Sequence, residues 1–265
     1  MYQESEMCVL YLNGEFYGVY AICERISTYS VCDFEGWERT KLMDIIKGND
    51  LTQHGTNSDY ADLLKWIADN PSPTDENIAY IETRIDLDNY LDYMCFMVYS
   101  ANQDVGVRRY RSVTTDGLWR WIVYDQDFGF YNDTDSISRW MDPKGAGSRK
   151  TVENKLFRYI MGNDAVVDRY LTRFGELLAG PWAPDELLVR FDALVDSIRP
   201  DMSLHCAKWS KTLPFSRWEK QVASMRARIE ERAGKIIGYL SDYFKLSEAD
   251  KERYFGAALR RIGES

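Results

Sequence analysis

Histidine is nearly missing from this 265-residue chain. His54 and His205 stand in unrelated contexts, so neither a zinc site nor a histidine-activated nucleophile is expected. Cysteine is scarce and scattered. The five thiols, Cys8, Cys23, Cys32, Cys95 and Cys206, include no CxxC pair, and an odd number leaves one over from any internal pairing, so they read as free and buried. No apolar run approaches the roughly 20 residues that span a bilayer. The opening stretch MYQESEMCVLYLNGEF has neither the basic nor the apolar region of an export signal. Net positive charge is lacking too: 33 basic against 42 acidic side chains give -9, which argues against a general polyanion binder and makes nucleic acid an unexpected partner. No glycine-rich phosphate loop of GxGxxG or Walker form is present. Apolar residues, in contrast, are plentiful. At 45% hydrophobic and 14% aromatic, the chain has enough to fill a sizeable core in one large domain or two small lobes.

The first part of the chain reads as β structure. CVLYLN and FYGVYAICE are rich in β-branched and aromatic residues, and Asn13-Gly14 between them predicts a tight hairpin turn. Glu24 closes the second strand, either solvated or pointing into a cleft where it would position a cationic group. A short strand, LMDIIKG, follows, and Lys47 at its end is either solvent-exposed or within reach of a phosphate. From Asn57 the period becomes helical: Leu63, Leu64 and Ile67 share a face, the Pro71 to Pro73 break intervenes, and PTDENIAYIETR resumes. IDLDNYLDYMCFMVYSAN then reads as a largely buried helix capped by Asp86 or Asp88. Beyond residue 130 a polar, glycine-containing stretch, YNDTDSISRWMDPKGAGSRK, lacks periodicity and reads as a loop, either over a site or a plain connector. The remainder is helical, with starts at Asn163-Asp164 and Pro184-Asp185, a stop at Gly180, and a long PFSRWEKQVASMRARIEERAGKIIGYLSDYF with one packed face. Within TVENKLFRYIMG, Asn154 and Arg158 lie one turn apart and would help to line a site. The class is α+β, with β-hairpins in the N-terminal half and a mainly helical C-terminal half.

The chemistry concentrates in NQDVGVRRYRSVTTDGLWRWIVYDQDFGF, residues 102–130. VRRYRSV and LWRWIVYD predict two strands joined at Asp116-Gly117, a second hairpin near 107–124. Asp104 precedes the first strand and Asp125 follows the second, so the two approach across its open end. Asp127, if the backbone stays extended, faces the same side as Asp125. Like charges gathered in this way need a cation among them, either a divalent metal or one of the nearby Arg108, Arg109, Arg111 and Arg120. A glycosidase is disfavoured, because carboxylates two apart on one strand do not flank a sugar bond from opposite faces.

Taken in order, YLNGEFYGVYAICERI, the NxD at Asn102 to Asp104, and WRWIVYDQDFGF resemble the CotH kinase family, atypical protein kinases first associated with bacterial spore coats. The resemblance is close over residues 7 to 160 and general beyond. It implies an atypical protein-kinase-like fold, with residues 1–56 as a partial N-terminal lobe and 57–265 as the catalytic helical lobe. It further implies binding of ATP and of Mg²⁺ or Mn²⁺, with transfer of the γ-phosphoryl group to Ser or Thr of a protein substrate. On that resemblance Asp104 orients or deprotonates the attacking hydroxyl, Asn102 braces the catalytic loop, and Asp125 or Asp127 binds the metal. Glu24 and Lys47 would serve the nucleotide, and Trp119, Trp121 and Tyr124 would pack the hairpin or face the nucleotide. Both aspartates of the DxD stay open as the ligand. Two departures point to a second reading, a non-catalytic surface or spore-coat protein on the same fold. Val105 to Arg109 contains no asparagine where members often have a second metal ligand, and the strand-rich segment with an RGNSS-like motif that normally precedes LNGEFYG is not in the sequence. The family's exported, cell-surface and spore-associated members set the expectation for location.

Overall fold

A computed structural model of the protein describes residues 1–39, 42–102, 107–146 and 152–263. The fold is α+β, 56% helical and 15% strand, with small antiparallel sheets in the N-terminal half and helices in the C-terminal half. Strands β1 (Ser5–Leu12) and β2 (Glu15–Cys23) form the first expected hairpin. Its turn uses Asn13 and Gly14 at φ 52° and 83°, the left-handed conformations that a two-residue hairpin loop requires. Helix α1 (Thr28–Glu35) follows; it was not anticipated, being a single short element begun by the reciprocal Ser27/Ser30 capping box.

Strands β3 (Met43–Lys47) and β4 (Leu51–His54) come next, then helices α2 (Ser58–Asp69), α3 (Asp75–Glu82) and α4 (Leu87–Ser100). Strands β5 (Arg108–Ser112) and β6 (Arg120–Trp121) complete a four-stranded antiparallel sheet of order β4-β3-β5-β6. β3 is paired on both edges, so its alternating side chains feed two cores. Met43 and Ile45 meet Ile26, Val31, Tyr110, Ile122 and Tyr124, whereas Ile46 joins Trp119, Trp121 and the helices. The long second strand expected over LWRWIVYD shrinks to two residues. Its flanks give their pairing to other segments instead: Trp119 bridges Ile85 and Val123 bridges Tyr2, both in parallel.

On the buried RRYRS strand, the charge of Arg111 is answered from afar. Arg111 Nε lies 2.7 Å from Asp44, and its Nη1 lies 2.8 Å from Asp59. Asp59 also accepts from Trp119 Nε1 at 2.9 Å and pairs with Arg84. Arg120 pairs with Asp86 and Asp116. None of these carboxylates belongs to the 102–130 stretch except Asp116.

The apparent loop after residue 130 contains helix α5 (Ser136–Trp140), capped by Asp135 and anchored by buried Ile137 and Trp140. It is too short to show a period in sequence. α6 (Lys155–Ile160), α7 (Asp164–Ala179), α8 (Pro184–Lys208), α9 (Phe215–Phe244) and α10 (Glu248–Gly263) follow. α7 starts where expected, Asn163 accepting from Val166 N at 3.1 Å. α8 carries the hairpin: His205 Nδ1 accepts from Val19 N at 3.0 Å, and Trp209 Nε1 donates to Tyr17 O at 3.2 Å. All five cysteines are free; Cys32, Cys95 and Cys206 are buried as expected, whereas Cys23 is exposed and Cys8 half-buried. Among the described residues no helix is long and apolar enough to cross a membrane.

Candidate active site

Helix α4 aims its C-terminal end at the site. Asp86 caps its start, accepting from Asn89 N at 3.0 Å, and the helix runs almost wholly buried to Ser100. Ala101 stops it in the left-handed region at φ 51°, a conformation that costs an alanine energy and so needs support from its surroundings. Asn102, 2% exposed, then turns its amide onto the segment that follows β6. Its Nδ2 donates to Asp125 O at 2.9 Å and to Gln126 Oε1 at 3.2 Å. The expected brace therefore acts on the DxD segment itself. Asp104 lies outside the described residues.

The DxD segment is not extended. Asp125 sits at φ 57°, and residues 127–130 form a turn in which Gly129 N donates to Gln126 O at 2.8 Å. Extension, on which a shared facing of Asp125 and Asp127 depended, ends at Tyr124, because Asn102 and Gln126 draw the chain inward. Gln126 is the hub: its Nε2 donates to Tyr124 O at 2.7 Å, and its Oε1 also accepts from Ser100 Oγ at 3.4 Å. The flanking Asp125 and Asp127 are both exposed, and among the described residues neither carboxylate has an ion-pair partner. The four nearby arginines do not neutralise them. Phe130, again left-handed at φ 57°, donates its N–H to Ser100 O at 2.7 Å and closes the loop back onto α4.

Helix α9 holds this junction from behind. Arg228 Nη1 donates to Phe130 O at 3.0 Å. Arg232, 3% exposed, donates to Tyr99 O at 2.7 Å, to Val98 O at 3.0 Å and to Ser136 Oγ at 3.2 Å, and pairs with Asp133 at 3.1 Å. The last carbonyls of a helix lack partners in their own ladder, so a guanidinium fork there satisfies them and also meets the negative end of the helix dipole. Burial pulls this guanidinium below the ordinary arginine range, and Asp133 opposes that pull. Sequence reasoning missed Gln126, Arg228 and Arg232. The last had left a trace: it stands three residues after Ile229 and four before Ile236, inside the apolar stripe of α9.

The remaining expected site residues, Lys47, Glu24 and Trp121, make no side-chain hydrogen bond or ion pair with this junction among the described residues. Lys47 is exposed at the end of β3, directly across the ladder from Arg108. Glu24 is half-buried beyond β2, its backbone N–H on Glu4 O at 2.8 Å and its carbonyl accepting from Gln3 at 2.6 Å. Glu24 and Lys47 make no ion pair with each other among the described residues. Trp121 is 3% exposed and packs on Tyr90 at 4.2 Å between ring centroids, with Tyr60 at 6.2 Å, which is the packing alternative for the hairpin aromatics. Trp119 is likewise enclosed, and Tyr124 lies in the smaller core. Asn154 does not line the site; its Nδ2 pins Trp140 O and Asp142 O at 2.7 and 2.8 Å. Among the described residues no three His, Cys, Asp or Glu side chains gather as a ready-made metal cage.

A search of curated proteins gives no match. The profile of the family described as CotH kinase protein matches residues 1–236. It spans both hairpins, the Asn102 junction and the α9 arginines that support it, so the chain belongs to the CotH kinase protein family.

Proposed function

We propose that this protein is an atypical protein kinase that transfers the γ-phosphoryl group of ATP to a Ser or Thr hydroxyl of a protein substrate, with Mg²⁺ or Mn²⁺. Family membership supports a kinase-like protein. The observation that carries the finer reading is the Asn102 amide on Asp125 O, because it ties the segment entering Asp104 to the segment bearing the acid pair. On this reading Asp104 orients the acceptor hydroxyl and takes up its proton, and Asn102 keeps the two segments in register. Asp125 and Asp127 supply hard oxygen donors. Mg²⁺ commonly binds through one or two carboxylates plus water and phosphate, so an exposed pair without a protein cage fits such an ion. When bound, the ion would offset charge on the phosphate oxygens. Lys47 would contact phosphate, Glu24 would border the nucleotide side, and Trp121 would contribute through the packing beneath the hairpin. The same proposal includes a division into a β-rich part over 1–56 and a helical lobe over 57–265, joined by the β3–β5 ladder.

The test is radiolabel transfer from ATP with Mg²⁺ or Mn²⁺ to an acceptor protein, comparing the unmodified chain with Asp104→Ala. Equal labelling by both proteins removes this mechanism. One observation favours a second reading, a pseudokinase or surface-binding protein. Val107 stands where members often carry a ligating asparagine, and its side chain is apolar and buried, with no atom to offer a cation. A large thermal stabilisation by millimolar ATP with metal but without transfer would select the pseudokinase, and no stabilisation would select the binding protein.

A further inference from the structure

Arg108 is a buried cation that pairs with no anion among the described residues. The residue is 9% exposed, and its Nε–H is fully enclosed with no acceptor among them. Its guanidinium carbon lies 4.3 Å from the centroid of the Tyr124 ring, and among the described residues the group makes no ion pair or side-chain hydrogen bond. The neighbouring arginines show how unusual this is in the chain. Arg109 is held by backbone carbonyls, Arg111 by Asp44 and Asp59, and Arg120 by Asp86 and Asp116. A guanidinium has five donors and no acceptor, and a buried cation is retained at a cost unless something answers it.

A second observation points the same way. Lys47 is directly opposite Arg108 in the antiparallel β3–β5 register, so both side chains leave the same face of the sheet. Like charges directly opposite are unfavourable there, and neither side chain makes an ion pair among the described residues. The Tyr124 ring beneath the Arg108 guanidinium belongs to the residue immediately before Asp125. A guanidinium is a planar donor fork of the kind that matches a phosphate, and the cation–π contact holds it beside that loop.

We infer that Arg108, with Lys47 across the ladder, forms a phosphate-binding pair that takes the polyphosphate of a nucleotide at the edge of the Asp125 loop. Naming the anion as a nucleotide polyphosphate rests on the kinase reading; the presence of an anion site rests on the two cations alone. A fixed guanidinium also supplies positive charge beside the phosphates in a chain whose residues 107–109 offer no metal ligand.

Isothermal titration of the full chain with inorganic pyrophosphate and with ADP, both without metal, tests this. The unmodified protein should bind both. Arg108→Gln should weaken each by about tenfold or more, as expected for loss of charge-assisted hydrogen bonds. Lys47→Gln should weaken them less, and Arg190→Gln, an equal charge change on exposed α8, should leave them unaltered. If Arg108→Gln does not fold, the Arg108 Nε–H resonance of the unmodified protein should shift on adding pyrophosphate. An unshifted resonance, equal affinity in Arg108→Gln, or no binding of either probe by the unmodified chain overturns the inference. Arg108-dependent binding without any phosphoryl transfer would sink the kinase reading alone. Transfer with unchanged affinity in Arg108→Gln would sink only the inference.

Discussion

Replacing Arg232 by Met should loosen the α4 end on which the candidate site is built. The guanidinium serves Tyr99 O, Val98 O, Ser136 Oγ and Asp133, and its methylene stem is buried with it. The losses are unequal. Val98 O keeps a donor, because the Ser136 hydroxyl also reaches it. Asp133 keeps Lys235, so no buried charge is stranded and the full penalty of about 3–5 kcal/mol for breaking a buried ion pair is not incurred. Tyr99 O loses its side-chain donor at the helix end, which costs about 1–3 kcal/mol, and the weakened contact at Val98 adds about 1 kcal/mol or less. Methionine refills most of the apolar volume. The expected destabilisation is therefore about 2–3 kcal/mol, read as the shift in urea midpoint by circular dichroism at unchanged slope. Arg232→Lys, which keeps the charge but not the planar fork, should recover less than half of it. A loss below about 1 kcal/mol would refute the view that this arginine supports the helix end.

Three other outcomes follow from the geometry. Asp125→Asn and Asp127→Asn, compared by Mn²⁺ titration, should separate the metal ligand from its neighbour, the ligand's loss weakening binding about tenfold or more; equal, unweakened binding in both would exclude this loop as the metal site. Gly55→Ala should cost about 2–4 kcal/mol in chemical denaturation. Its φ is 69°, and an added Cβ would collide with Met43 O and with the Asp44 carboxylate. Asp116 sets an acid-side signature. Burial acts to raise its pKa, but the Arg120 hydrogen bond and the Leu118 N–H outweigh that and hold it below the usual value. A depressed carboxyl contributes stability that is fully present above about pH 4 and is lost as pH falls through its folded value. Asp116→Asn should flatten that limb of the stability profile, and an unchanged limb would contradict the assignment.

Local signals carried much of the architecture. Asn13-Gly14 specified the first hairpin because few residues other than these accept two successive left-handed conformations. Asp86 or Asp88, and Asn163-Asp164, marked helix starts because a cap bond reaches only three residues along, and the structure gives the caps to Asp86 and Asn163. The buried run of α4 and the packed stripe of α9 were readable from period alone. What escaped was short or shared between segments. α1 and α5 are too brief to show a period, and β6 lost its flanks to parallel bridges with Ile85 and Tyr2.

The same division runs through the site. Residue order alone determined that Asn102, Asp125 and Asp127 stand at the ends of a hairpin, since strand length and turn type follow from neighbours in the chain. Whether those acids would be quenched by Arg108, Arg109, Arg111 and Arg120 was undecided at that level, because each arginine's partner comes from a segment distant in sequence. Tertiary structure sent Arg111 to Asp44 and Asp59, held Arg109 on Gly48 O, and left Arg108 against Tyr124 with Lys47 opposite. It also turned Asp125 out of the strand, because a backbone forced to φ 57° is kept there only by contacts such as Asn102's that no local pattern encodes.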